Sequence, residues 1–403
     1  MRWLALAALL LAGCRGDRGP EPSPQGSGSG TAATAPAAPP VPDIPKLSLS
    51  PDGAEELRGL EAQIEALRVR PEAEVQIINM LMARAAITQQ LDDYVEALDR
   101  TKALVAKYPD KAAVWKLRVP ALSRAHKFTE ARAALAKLAA VKGDQSDIDD
   151  LTATLDEATG HPERATAYRE STAKTLIRPE TLTMLAAHLA LRGKLAEAAD
   201  LIPKAAEAAH DNSAVLFSWL YFQWGRIWEL KGELARAKAA YAEAHRRMPG
   251  YVEATIHLAQ LMRESGDDPT NLVAAALMAT PHPDLLALAG KIEEAKRGWE
   301  RYVAALPEAF SDHAARFYLG PGKDPLRALA LAQANLANRD TPEARSLAIE
   351  AALAANAPSE ACALVDPLVT APLRAQQFMA WRALSSCGRK ADADKLAAAL
   401  GIH

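Results

Sequence analysis

The chain has 403 residues, of which 24% are charged and 5% aromatic, with a formal net charge of −3. Alanine, leucine and straight-chain charged residues dominate while β-branched residues are scarce, which predicts a nearly all-helical chain and excludes a sheet. Acids and bases are interspersed and no Lys/Arg block follows the first residues, so recruitment of nucleic acid by counterion release is excluded.

Residues 1–13 read as a secretory leader: Arg2 supplies the positive start, Leu4 to Leu11 form a short apolar run, and the small residues Ala12 and Gly13 follow. The run is too short to span a bilayer. Leu11-Ala12-Gly13-Cys14 resembles the lipobox of bacterial lipoproteins, and the alternative is an ordinary cleaved leader with an incidental cysteine. The resemblance implies that Cys14 becomes the new N-terminus and carries diacylglycerol and acyl chains, each buried CH₂ contributing about 0.8 kcal/mol of membrane affinity. Arg15 stands where an aspartate would signal inner-membrane retention, so the resemblance favours the outer membrane, with the rest of the chain in the periplasm.

Residues 14–50 are rich in Pro, Gly, Ser and Ala, with runs such as Gly26-Ser27-Gly28-Ser29-Gly30 and Ala35-Pro36-Ala37-Ala38-Pro39-Pro40. Such a stretch cannot bury a core and reads as a disordered tether. From residue 51 onward the apolar residues fall at helical spacing, beginning with Leu57, Leu60, Ile64 and Leu67.

The clearest unit covers residues 218–251. Tyr221, Trp224 and Trp228 form one stripe, Gly225 permits close approach of a second helix, Gly232 makes the turn, Ala237, Tyr241 and Ala244 form the facing stripe, and Pro249 ends it. Turn residue and crossing alanine recur as Asp92/Ala97, His126/Ala131, Gly160/Ala165, Gly193/Ala198, Gly290/Ala295, Asn356/Ala361 and Gly388/Ala393. Weaker turns fall at Gly266 and near Lys323/Ala328, and most steps are about 32 to 34 residues. Each pair leaves an apolar flank that only the next pair can cover. This spacing resembles the tetratricopeptide repeat, strongly in residues 218–251 and more weakly across 51–403, and implies an all-α helical-repeat superhelix, a TPR-like α-solenoid. The alternatives are a related solenoid with less regular pairs and, further off, an unrelated helical bundle. Two places depart from the pattern: the unit at Gly160 lacks large aromatics, predicting loose packing, and the unit at Gly320-Pro321-Gly322 predicts a very short first helix.

No catalytic or metal-ligand motif is present, and Gly320-Pro321-Gly322-Lys323 lacks the leading glycine, the following Ser/Thr and the strand that a phosphate loop needs. The chain is therefore expected to be no enzyme and to use no metal or cofactor beyond the lipid. The repeat resemblance places Trp219, Phe222, Arg226 and Glu229, and in the next unit Glu253, Ile256, Gln260 and Arg263, on the concave face where a peptide would lie. Trp219 and Phe222 exceed what the core stripe requires, and exposed aromatics anchor interfaces; equally they could pack on the preceding pair around Leu182 and Met184. The Lys/Asn pattern that captures a free chain terminus is missing, with Pro120 and Ala187 at two of its places. Antiparallel stacking brings Cys362 and Cys387 together, either as a disulfide or as two small apolar residues in a crossing. The expected function is a scaffold or adaptor for envelope proteins; the alternative is a glycan or peptidoglycan fragment stacked on the aromatics near Trp219.

Overall fold

The computed structural model describes residues 52–210 and 212–402; the expected leader (1–13), Cys14 and the expected tether (14–50) lie outside them. Every regular element among the described residues is helical. α1 (Gly53–Leu67) precedes ten antiparallel pairs. In chain order these are α2 (Glu74–Thr88) with α3 (Leu91–Lys107), α4 (Ala112–Arg124) with α5 (Phe128–Ala140), α6 (Gln145–Ala158) with α7 (Pro162–Thr175), and α8 (Pro179–Leu191) with α9 (Leu195–Glu207). Next come α10 (Ala214–Leu230) with α11 (Leu234–Arg247), α12 (Val252–Glu264) with α13 (Thr270–Ala279), and α14 (Pro283–Leu288) with α15 (Ile292–Ala305). The series ends with α16 (Pro307–Leu319) and α17 (Pro325–Asn338), α18 (Pro342–Ala354) and α19 (Pro358–Ala363), the short α20 (Asp366–Val369), and α21 (Arg374–Ser386) with α22 (Lys390–Leu400). The chain is a tetratricopeptide-like α-solenoid.

One backbone device builds every pair. Each of the ten turns contains a single residue at positive φ: Gln89, His126, Gly160, Gly193, Gly232, Gly266, Gly290, Lys323, Asn356 and Gly388. In most of them the amide three residues past the helix reaches back five residues, as in Lys194 N to Leu189 O and Glu233 N to Trp228 O, both 2.9 Å, so orphan helix carbonyls are satisfied as the chain reverses. Five residues beyond the turn, Ala131, Ala165, Ala198, Ala237, Ala295, Ala328, Ala361 and Ala393 are all buried, since only a methyl fits where the two helices cross. The first pair corrects the sequence expectation: Gln89, not Asp92, makes the turn, and Asp92 sits in the opening turn of α3.

Two further expectations are corrected. The very short first helix is α14 of six residues, whereas α16, which precedes Gly320, has thirteen. The aromatic-poor pair α6/α7 is not loose but is held by a buried ionic cluster. Arg169 donates to Glu157 (2.8 Å), Asp150 (2.6 Å) and Thr154 (2.8 Å), and His188 of α8 meets the same Glu157 at 2.9 Å. Directional charge-assisted bonds there do the positioning that ring packing does elsewhere.

Residues roughly 160 to 210 apart in sequence meet all along the chain, so the second superhelical turn lies against the first. Glu56 accepts from Ser213 Oγ and Ala214 N, both 2.8 Å, seating α1 on the start of α10. Further along, Tyr302 Oη donates to Gln89 O (3.3 Å), Lys127 pairs with Glu308 (3.2 Å), and Asn338 Nδ2 donates to His126 O (2.9 Å). Gly160 abuts Asp340 O and Gly193 abuts Pro372 O so closely that an added Cβ would stand 2.2 and 2.6 Å from them. Turns within first-coil pairs thus nest against junctions between second-coil pairs.

Candidate interaction groove

The concave positions chosen from sequence are mostly not available. Trp219, Phe222, Arg226, Glu229 and Ile256 are buried, Glu253 and Gln260 half-buried, and only Arg263 is exposed, its guanidinium bonded to Leu288 O. The physical reason is the aromatic surplus itself. Phe222 packs its ring on Tyr241 of its own pair and on Tyr251 and His257 of the next, with centroids 5.0 to 5.7 Å apart. Trp219 and Phe222 belong to the same core as Leu182 of the preceding pair, so they fill the solenoid rather than line an open groove.

The polar members of that stripe satisfy one another. Tyr241 Oη donates to Glu229 Oε2 at 2.6 Å and His257 Nδ1 lies 3.1 Å from the same oxygen. Arg226 reaches His257 Nε2 at 3.3 Å; because a guanidinium only donates, that nitrogen accepts and Nδ1 carries the proton given to Glu229. Burial alone would raise the Glu229 carboxyl, but His257, Arg226 and the tyrosine hydroxyl outweigh it and hold the group well below the usual carboxylate range. The result is a closed, charge-compensated knot that positions helices and offers no reactive group to solvent.

An open cavity occurs instead between α18–α19 and α21, about 700 Å³ in volume. Leu353, Asn356 and Pro358 form one wall and Phe378, Trp381, Arg382, Ser385 and Ser386 the other. On α21 the residues at 378, 381, 382 and 385 fall three and four apart and so share one face. Phe378 and Trp381 are half-buried neighbours, ring centroids 5.1 Å apart and tilted by 40°. Ser385 and Ser386 each donate 2.9 Å bonds back to the helix carbonyls four residues earlier, which leaves their oxygens as acceptors toward the cavity. Cys362 and Cys387 are joined as a disulfide, Cα atoms 6.0 Å apart, tying α19 to the end of α21 and so bracing both walls.

The sequence contained a signal for this face. Aligning the turn residues Gly232 and Gly388 puts Phe378 in register with Phe222, Arg382 with Arg226 and Ser385 with Glu229, while Trp381 takes the place of Gly225 and Ala397 that of Tyr241. Carrying the concave positions onto the most consensus-like pair selected the copy that is packed shut; the less typical last pair leaves the same positions accessible. Among the described residues, no group of three or more His, Cys, Asp or Glu side chains is placed to hold a metal, and no helix is long and apolar enough to cross a membrane.

No protein-family model and no curated protein matches the chain. Solved structures with a similar course include the Cut9–Hcn1 hetero-tetramer of the APC/C, at 12% identity over 81% of this chain and 67% of that one, with a TM-score of 0.45. A human IFIT1 dimer with PPP-AAAA aligns at 15% identity over 81% and 78% of the two chains, TM-score 0.42, and yeast Tom70 at 12% over 84% and 96%, TM-score 0.32.

Proposed function

We propose that the protein is a non-enzymatic interaction scaffold held on the periplasmic side of a bacterial outer membrane by lipid on Cys14, and that its α18–α21 groove takes up a partner protein. The observation that carries the reading is the contrast inside one solenoid: Trp219 and Phe222 of the α10 pair are packed away, whereas Phe378 and Trp381 of the α21 pair stay accessible beside Arg382 over a braced cavity of about 700 Å³. Aromatic and arginine side chains are the residue types that anchor interfaces. Residues 14–50 would act as a tether, raising the local concentration of partners near the membrane rather than contributing contacts.

Two measurements test it. Mass spectrometry of the mature N-terminus and membrane fractionation, compared with Cys14→Ser, should find acyl groups on Cys14 and loss of outer-membrane association in the variant; an unmodified Cys14 removes the anchor. Affinity capture from detergent-solubilised envelopes with the full chain and with Phe378→Ala/Trp381→Ala, followed by binding of each candidate as a purified protein, should give a direct partner that the double variant loses. Partners retained in full by a folded double variant overturn the groove. The glycan reading keeps no site near Trp219, which is buried; oligosaccharide titration monitored by tryptophan fluorescence tests it at Trp381.

A further inference from the structure

We propose that the occupant of the α18–α21 groove is a linear segment of a partner protein carrying an aspartate or glutamate next to a bulky apolar residue. This rests on the groove being a protein-binding site and goes on to specify the chemistry of what enters it.

In the α10 pair, the guanidinium of Arg226 sits in a knot that includes the Glu229 carboxylate, one helical turn along the same face. In the α21 pair the equivalent arginine is Arg382, but the equivalent of Glu229 is Ser385. Among the described residues Arg382 has no carboxylate within ion-pair distance, and its one hydrogen bond runs to the weakly accepting thioether of Met379 at 4.0 Å. Arg382 is half-buried in the cavity wall, so it has lost part of its water without gaining a counter-charge from the described residues.

An incoming carboxylate supplies what is missing. A guanidinium presents two parallel N–H donors that match the two oxygens of a carboxylate, and partial desolvation strengthens that pairing. Phe378 stands four residues before Arg382 and Trp381 immediately before it, and all three line the same cavity, so an apolar side chain beside the acid would meet ring surface when the acid meets the guanidinium. The hydroxyl oxygens of Ser385 and Ser386 are placed at the rim to accept backbone amides of an extended segment. The Cys362–Cys387 bond keeps the two walls together, so the seat is formed before the segment arrives and less ordering accompanies binding.

The test is selection of a displayed random twelve-residue peptide library on the full chain in detergent, with Arg382→Met and Arg382→Glu run in parallel. Wild type should enrich peptides with Asp or Glu adjacent to Trp, Phe, Leu or Pro. The best such peptide, measured by fluorescence anisotropy, should bind about tenfold weaker when its acid is changed to the amide. Arg382→Met should erase that ratio, and Arg382→Glu should shift enrichment to Lys or Arg; unchanged circular dichroism melts establish that both variants are folded. Enriched peptides without acids, or an acid preference that survives Arg382→Met, overturn this inference, while loss of the same peptides with Phe378→Ala would leave the groove itself standing as a protein site. If no peptide is enriched, whether or not chitin oligosaccharides quench Trp381, both this inference and the protein-binding groove fall.

Discussion

The α10/α11 pair and the α21/α22 pair are written to the same register and end in opposite states. Both carry a phenylalanine and an arginine four residues apart on the concave side of the first helix. In the first pair, Tyr241, Tyr251 and His257 close over Phe222, and Glu229 completes the charge of Arg226. In the second, alanine replaces the tyrosine, serine replaces the glutamate, and the phenylalanine remains half-exposed. What makes a concave residue available is therefore not its own identity but whether the neighbouring pairs supply rings and counter-charges to cover it. An aromatic surplus closes a solenoid; a local shortage beside retained aromatics opens it.

Truncating the two phenylalanines should have the largest and most unequal effects. Phe222→Ala should cost about 4 kcal/mol in urea unfolding, since a buried ring is lost from a dense cluster and leaves a cavity. Phe378→Ala should cost about 1 kcal/mol, because much of its surface is already in water, yet it should lower partner capture whereas the first variant acts on stability. Equal costs would mean that the two pairs are packed alike.

Next in size is the charge knot. Glu229→Gln should destabilise by about 3 kcal/mol at pH 7, since it leaves Arg226 and His257 around a neutral amide in a buried site. The sign with pH follows from the lowered carboxyl. Its contribution is complete above the free glutamic-acid value of about 4.3 and is lost as pH falls toward its depressed value in the folded state. The gap between wild type and variant should thus be constant from pH 7 to about 5 and narrow below about 4; a gap that widens in acid contradicts the assignment. Removing the other region's brace is of similar size: Cys362→Ser/Cys387→Ser opens a closure of 25 residues and should cost about 3 kcal/mol, with hydrogen-exchange protection lost first in α19 to α22.

The helical pairing was legible because it is local. Turn residue, crossing alanine and apolar stripe lie within one unit of about 34 residues and were readable from spacing in most pairs, the turn at Gln89 being the exception. What was not legible comes from contacts between units and between coils. Nothing near residues 150–170 announces that Arg169, Glu157 and His188 of α8 will assemble a buried ionic core, because the partners are contributed by three helices. Nothing in residues 218–230 shows that α12 will cover Phe222, or that α1 will return to the start of α10 about 157 residues away. The candidate groove was half legible: its residues share the register from which the concave positions were chosen, but which copy is open depends on burial that only the assembled superhelix decides.

The contact between coils supplies the finest comparison, because Gly193 and Gly388 have nearly the same backbone and different surroundings. Both hold positive φ, +73° and +81°, where a side chain costs about 1 kcal/mol. Around Gly388 nothing lies within 4 Å of an added Cβ, so Gly388→Ala should cost that amount and no more. At Gly193 the same methyl would stand 2.6 Å from Pro372 O, a backbone atom of the second coil that cannot swing aside, so Gly193→Ala must also push the coils apart locally. Its cost should exceed that of Gly388→Ala by about 2 kcal/mol. Hydrogen exchange should show the extra loosening at both ends of the contact, in the turn between α8 and α9 and in the junction before α21. Equal costs for the two substitutions, with no change near Pro372, would mean that the coils do not touch in solution, and the closed interior around Phe222 would then have to be maintained by neighbouring pairs alone.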